Sequence, residues 1–218
     1  MYKEPFYKLV SESQKLPISV SEVGVALRLS KTQLKASSNF ITIVIASVVE
    51  VAEDITRREM LTKEWLMLFD NFPGGGQFFT LRQGNQAIEM SRSVFQSIVE
   101  FKYLKSDDVT EVVIPATDYQ INESADYNHI LPLPDASWPT DVSRRVQSVS
   151  IQFKSGYGDD AVDVPKSLRM AMIQHSAHLF ENRGACGGGG CSSEEALYLA
   201  PSSAMGIYMN HQILFMAF

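Results

Sequence analysis

His175 and His178 stand three residues apart, and Cys186 and Cys191 follow shortly after. Two imidazoles and two thiolates are the donor set of a tetrahedral zinc site, or of a metal-dependent enzyme built around one. The spacing argues against that chemistry. Four residues separate the thiols where two are usual, and His175 falls on the apolar face of its segment. A packing pair of histidines and a glycine-rich loop with incidental thiols is the preferred reading, so no metal and no cofactor is expected. The two cysteines do not make a disulfide framework either.

Other chemistry is harder still to find. The glycines at 187–190 lack the following Gly-Lys-Ser/Thr of a phosphate-cradling loop, and those at 74–76 read as a hairpin turn. Asp107-Asp108 and Asp159-Asp160 are acidic pairs in turns, where solvated side chains suffice. His129 and His211 stand alone. No nucleophile elbow or zinc-protease signature occurs, so no catalytic residues are assigned and no enzyme is expected.

The histidines ride on the element around which the chain is organised, residues 151–184. Residues 147–153 alternate Val149, Ile151 and Phe153 with polar neighbours, the period of a half-buried strand. Gly156-Tyr157-Gly158 supplies the backbone freedom for a sharp exit. Pro165 opens a helix, with Asp163 near its positive end. Leu168, Met172, His175 and Leu179 then recur at spacings of three and four, widened by Ala171 and Ile173. The helix is expected to stop at Asn182-Arg183-Gly184.

Upstream, Ser19 with Glu22 and Ser30 with Gln33 are two capping boxes, the first flanked by Ile18 and Val23 as a hydrophobic staple. A short helix to about Leu29 and a long one toward Thr56 follow, the latter starting at Ser30 or, since Ser37-Ser38-Asn39 is weak helix material, near Asn39, with an inner stripe of Leu34, Ile41, Ile45, Val48, Ala52 and Ile55. Residues 61–139 change period: short strands at 64–70, 78–81, 97–104, 111–114, 118–121 and 129–133 predict an inserted antiparallel sandwich or barrel, with 82–95 as a long loop. Residues 1–17 read as an aromatic, mixed-charge lead-in, a stretch for a neighbour to order in part.

The net charge of −6 disfavours a DNA binder driven by phosphate contacts, since Lys and Arg are scattered and paired only at Arg57-Arg58 and Arg144-Arg145. A hydrophobic content of 45% suits a globular core. No run is read as approaching the ~18–20 apolar residues of a membrane span, and no secretory pattern opens the chain, so soluble, cytoplasmic synthesis is the default. After a glycine linker that begins near Gly184, residues 202–218 are unusually apolar. Met205, Ile207, Tyr208, Met209, Ile213, Leu214, Phe215, Met216 and Phe218 invite a covering partner, so an extended tail is expected. Truncation at 202 is then expected to leave the rest folded.

The order FKSGYGDD, VPKSLRMAM and HLFENRG across 153–184 resembles the head–tail connector (adaptor, or head-completion) family of tailed double-stranded DNA phages and gene transfer agents. Ser155 stands where that family commonly has alanine, and Phe180 where it has tyrosine. The resemblance extends with gaps from Pro17 to Gly184: Pro17-Ile18-Ser19, Leu27-Arg28-Leu29, Thr56-Arg57-Arg58, then Trp65, Leu66, Leu68, Asp70, Phe72 and Pro73, then SIVEFKYLKSDD, DYQIN and Trp138-Pro139. It implies a structural virion protein at the head–tail interface, assembled in the host cytoplasm. It further implies a dodecameric ring beneath the portal protein that completes the DNA-filled head and docks a stopper or tail-side connector. DNA would pass its channel without specific binding, and no membrane would be involved. Long helices would pack side by side, with Phe40, Ile43 and Val44 as subunit-interface candidates, and the C-terminal tail would grip the portal. The expected fold is α+β: N-terminal helices (18–60) and the long helix (155–184) in a small bundle, the β region (61–154) inserted, and 185–218 as linker and tail.

Overall fold

The computed structural model describes residues 5–73, 86–90, 92, 94–123, 128–182 and 200–213. The chain divides into two units, Met1–Glu12 with Thr62–Gly156 and Ser13–Leu61 with Tyr157–Phe218. The class is the expected α+β, with four helices and two open antiparallel sheets among the described residues.

The first unit holds the strands β1 (Phe6–Glu12), β2 (Lys63–Phe69), β3 (Ile88–Met90), β4 (Phe95–Leu104), β5 (Glu111–Val113), β6 (Tyr119–Glu123), β7 (Asn128–Pro132) and β8 (Val149–Ser155). One sheet runs β1-β2-β8-β4-β5 and the other β3-β7-β6, every pairing antiparallel. β8 takes the centre because its alternation is strict. Val149, Ile151 and Phe153 are wholly buried, opposite Phe69, Met67 and Trp65 on one side and Tyr103, Phe101 and Ile98 on the other. Ile88, Met90 and Ile130 of the smaller sheet join the same core. Phe72 is its hub: it stacks on Trp138 at 5.2 Å and meets Tyr103 edge-on at 5.7 Å. The Trp138 indole N–H donates to the Gln86 carbonyl at 2.6 Å, so the ring's polar end is satisfied inside an apolar cluster.

Two readings from sequence change here. The lead-in contains β1, whose Leu9 faces Trp65 and whose Tyr7 lies edge-on to Phe153 at 6.4 Å. The stretch read as a loop contains β3, held by pairing with β7 rather than by its own length. The strand expected at 78–81 lies outside the described residues.

The second unit is built from α1 (Val20–Ala26), α2 (Lys31–Thr56), α3 (Lys166–Glu181) and α4 (Ser202–Asn210). Both capping boxes form: the Ser19 N–H donates to Glu22 Oε2 at 2.7 Å, and the Ser30 N–H to Gln33 Oε1 at 2.9 Å. α1 stops short of Leu29 because Arg28 turns into the left-handed region at φ 54°. α2 ends at Thr56, where Arg57 takes φ 56° as its cap. The turn into α3 needs both glycines. Gly156 has φ 133°, and a Cβ on Gly158 would lie 2.3 Å from Asp163 Oδ2. Asp163 itself accepts from the Asp160 N–H at 3.0 Å, and Pro165 stands as the N-cap of α3. The core joins Ile41, Ile45, Val48 and Ala52 of α2 to Leu168, Ala171 and Met172 of α3 and to Ala204 and Tyr208 of α4, all fully buried.

α4 corrects the expectation of an extended tail. Ala204 and Tyr208 are part of this core, so truncation at 202 would open it. α2 corrects another expectation: it carries an 18-residue window of mean hydropathy 1.5, long and apolar enough to cross a membrane by length and composition. Its inner face is nevertheless closed over by α1, α3 and α4.

Candidate functional site

Of the residues singled out for chemistry, the structure describes the two histidines, and their surroundings differ. His175 is buried in the helical core, where its Nδ1 lies 3.5 Å from the Tyr208 hydroxyl. Burial, with the neighbouring His178 adding to it, pulls its pKa down to about 4, so the ring is neutral and cannot be charged without disturbing the core. His178 is turned differently, with its Nδ1 3.2 Å from the Asn182 side-chain nitrogen. Among the described residues no three His, Cys, Asp or Glu side chains converge as metal ligands. Cys186 and Cys191 lie outside the described residues.

The remaining surface of note is the outward face of α2. α2 buries only 28% of its most apolar window within the chain. Its outward stripe contains Ala36, Asn39, Phe40, Thr42 and Ile43, and from Ala36 to Val49 the helix carries no charge on any side. Of the three interface candidates, Ile43 is 64% exposed and Phe40 is 40% exposed, its ring leaning on Phe180 at 5.8 Å. Val44 is 8% exposed and packs in the core, because its position on the helix turns it inward.

The C-terminal candidates divide in the same way. Tyr208 and Ile213 are buried. Ile213 donates its N–H to the Thr56 carbonyl at 3.1 Å, while Arg58 Nε donates to the His211 carbonyl at 2.8 Å. The His211 ring meets the Ser167 hydroxyl at 3.0 Å, and Ser203 donates to Gln174 at 3.0 Å. Met205 and Met209 sit on the outer side, Met209 at 55% exposed, and Ile207 is packed only partly against the core. Leu214, Phe215, Met216 and Phe218 lie outside the described residues. The signal that α4 would dock was present in the i, i+4 pair Ala204 and Tyr208, but Gly206 between them obscured a helix.

The turn residues hold the start of α3 in place. Tyr157 is part of the helical core's margin, and burial raises its pKa. Arg169 then reaches back to the Pro17 carbonyl at 3.1 Å and to the Glu22 carboxylate at 2.5 Å, tying α3 to the cap of α1. Burial pushes Glu22 upward in pKa, and the bonds from Ser19 and Arg169 outweigh it, leaving the carboxyl lowered overall.

No family model matches the chain, and no curated protein matches it. Solved structures do. A chain from the virion of a native gene transfer agent particle superposes with a TM-score of 0.73 at 14% identity, over 97% of both chains. A chain from the neck of an empty gene transfer agent particle, computed with C6 symmetry, gives 0.72 at 13% identity and the same coverage. A chain from the neck of a native particle, computed with C12 symmetry, gives 0.62 at 15% identity, again over 97% of both. The likeness is one of fold, carried end to end.

Proposed function

We propose that this chain is a structural neck protein of a phage-like particle, and within that class a head–tail connector of the adaptor kind. The observation that carries the reading is the end-to-end likeness of its fold to chains of gene transfer agent necks, over 97% of each partner. The sequence resemblance to the connector family, found independently in the glycine turn and α3, points the same way. Symmetry C6 and C12 in those necks supports a ring of identical copies. The chain then stands between the portal and a stopper or tail-side connector in the virion, after assembly in the host cytoplasm. It closes the DNA-filled head and lets DNA pass an acidic wall without specific binding, consistent with its net charge of −6. Its role is mechanical and not catalytic.

Phe40 and Ile43 belong to the subunit contact in this reading, and Val44 supports them from the core. The portal contact falls to Leu214, Phe215, Met216 and Phe218, aided by Met205 and Met209 on the outer side of α4 and by the part of Ile207 that the core leaves uncovered. Many copies each holding weakly would grip firmly. Mixing the purified chain with its portal and imaging by electron microscopy tests the role: a ring seated on the portal is expected, and a chain that stays single beside portal and capsid components overturns it. Removing 214–218 is expected to abolish portal binding with α4 still docked, and unchanged binding would reject the tail assignment.

A further inference from the structure

α2 carries its exposed charges the wrong way round. A helix N-terminus is the positive end of its macrodipole and favours acidic side chains, while the C-terminus favours basic ones. α2 has no acidic residue in its first turn and no basic one in its last. Its first turns instead expose Lys31 and Lys35, and its last turns expose Glu50 and Asp54. Each pair is spaced i, i+4, so like charges also stack on each other. Among the described residues none of these four side chains has an ion-pair or hydrogen-bond partner in its own chain. Glu53 is by contrast engaged with the Met60 N–H at 2.9 Å, and the cap residue Arg57 has a contact of its own. Between the charged ends runs the uncharged outer stripe with Ala36, Asn39, Thr42 and Ile43.

These costs cancel in one arrangement. We propose that, in the free protein, α2 pairs antiparallel with α2 of a second copy, about a two-fold axis passing between Thr42 and Ile43. Lys31 then faces Asp54 of the other copy, and Lys35 faces Glu50, once in each direction. The macrodipoles oppose, and the uncharged stripe fills a seam about 22 Å long between the Lys35 and Glu50 contacts at the helical rise. A side-by-side parallel pairing would bring Lys against Lys and Glu against Glu. The contact is isologous and closes at two copies. It therefore differs from the head-to-tail contact that a cyclic ring requires, and it covers Ile43 until a ring forms.

Analytical ultracentrifugation of the full chain across the micromolar range tests the pairing. A concentration-dependent dimer weakened by salt is expected. Lys35→Glu and Glu50→Lys should each weaken it about tenfold or more, and the double exchange should restore it. Both single variants place charges in the sense the macrodipole favours, so their thermal stability should hold, which separates lost pairing from lost folding. A monomer at all concentrations, a dimer indifferent to both single variants, failure of the double exchange to restore it, or transfer of the chain into lipid vesicles in place of self-association would each overturn the pairing. The connector reading is tested separately on the portal and stands or falls without it.

Discussion

Tyr208 of α4 brings its hydroxyl to 3.5 Å from Nδ1 of His175 of α3, with both side chains fully buried. Among the described residues, Nε2 of the same histidine and the hydroxyl of Ser176 beside it have no hydrogen-bond partner. The buried side of the C-terminal helix thus rests on apolar fit at this point, while its margins carry the hydrogen bonds from Ser203, Arg58 and Ile213.

Truncating Tyr208 should therefore act through packing. Tyr208→Ala is expected to cost about 3–5 kcal/mol, whereas Tyr208→Phe keeps the ring and should cost under ~1 kcal/mol. Thermal melting followed by helical circular dichroism reads this unit. Both tryptophans, Trp65 and Trp138, belong to the other unit, so their fluorescence should be unchanged.

His175 makes the helical unit sensitive to acid. Its pKa falls from 6.5 to about 4 in the fold, so between those values the unfolded chain binds the proton and the folded chain does not. Stability from this group is complete above pH 6.5 and declines as pH falls toward 4, by roughly 3 kcal/mol in all. Urea melts at several pH values should show that slope, and His175→Gln should flatten it.

Gly158 and Gly24 should respond unequally to alanine. A Cβ on Gly158 would meet Asp163 at 2.3 Å from Oδ2 and 2.5 Å from Cβ, in a turn that leaves it no retreat. A Cβ on Gly24 would meet Leu34 Cδ1 at 2.5 Å, the far end of a side chain that can rotate away. Gly158→Ala is expected to destabilise by about 2–4 kcal/mol and Gly24→Ala by no more than about 1–2, partly offset by better helix propensity. Chemical denaturation of the two variants decides the order.

In the β unit, Phe72 is the side chain to remove. It touches Phe69, Phe101, Tyr103 and Trp138, so Phe72→Ala should cost about 3–5 kcal/mol and shift the emission of Trp138, its stacking partner. Leu133→Ala, at a position 40% exposed, should stay within about 1 kcal/mol and serves as the control.

What could be read from sequence was whatever local chemistry decides. Ser19 with Glu22 and Ser30 with Gln33 announce helices wherever they occur, and the alternation of Val149, Ile151 and Phe153 announces a buried strand. β1, β3 and α4 were not legible because each is stabilised mainly by what it lies against. Leu9 needs Trp65, Ile88 needs Ile130, and Ala204 with Tyr208 needs α3. Of the interface candidates Phe40, Ile43 and Val44, which the resemblance implied together, the helical phase separates Ile43, facing out, from Val44, facing in. Lys31, Lys35, Glu50 and Asp54 were in plain sight, yet they carry meaning only once the ends of the helix are known.

β8 lies between β2 and β4, yet it is the last of the described strands along the chain. On a ribosome, the first strand and its neighbour emerge early and must wait for residue 155 before the middle of their sheet exists. A nascent chain halted before that point would display two unfinished ladders, each offering an open flank to β-rich neighbours. Any shortened product ending there is the one the cell would have to clear, and the one that expression trials should avoid.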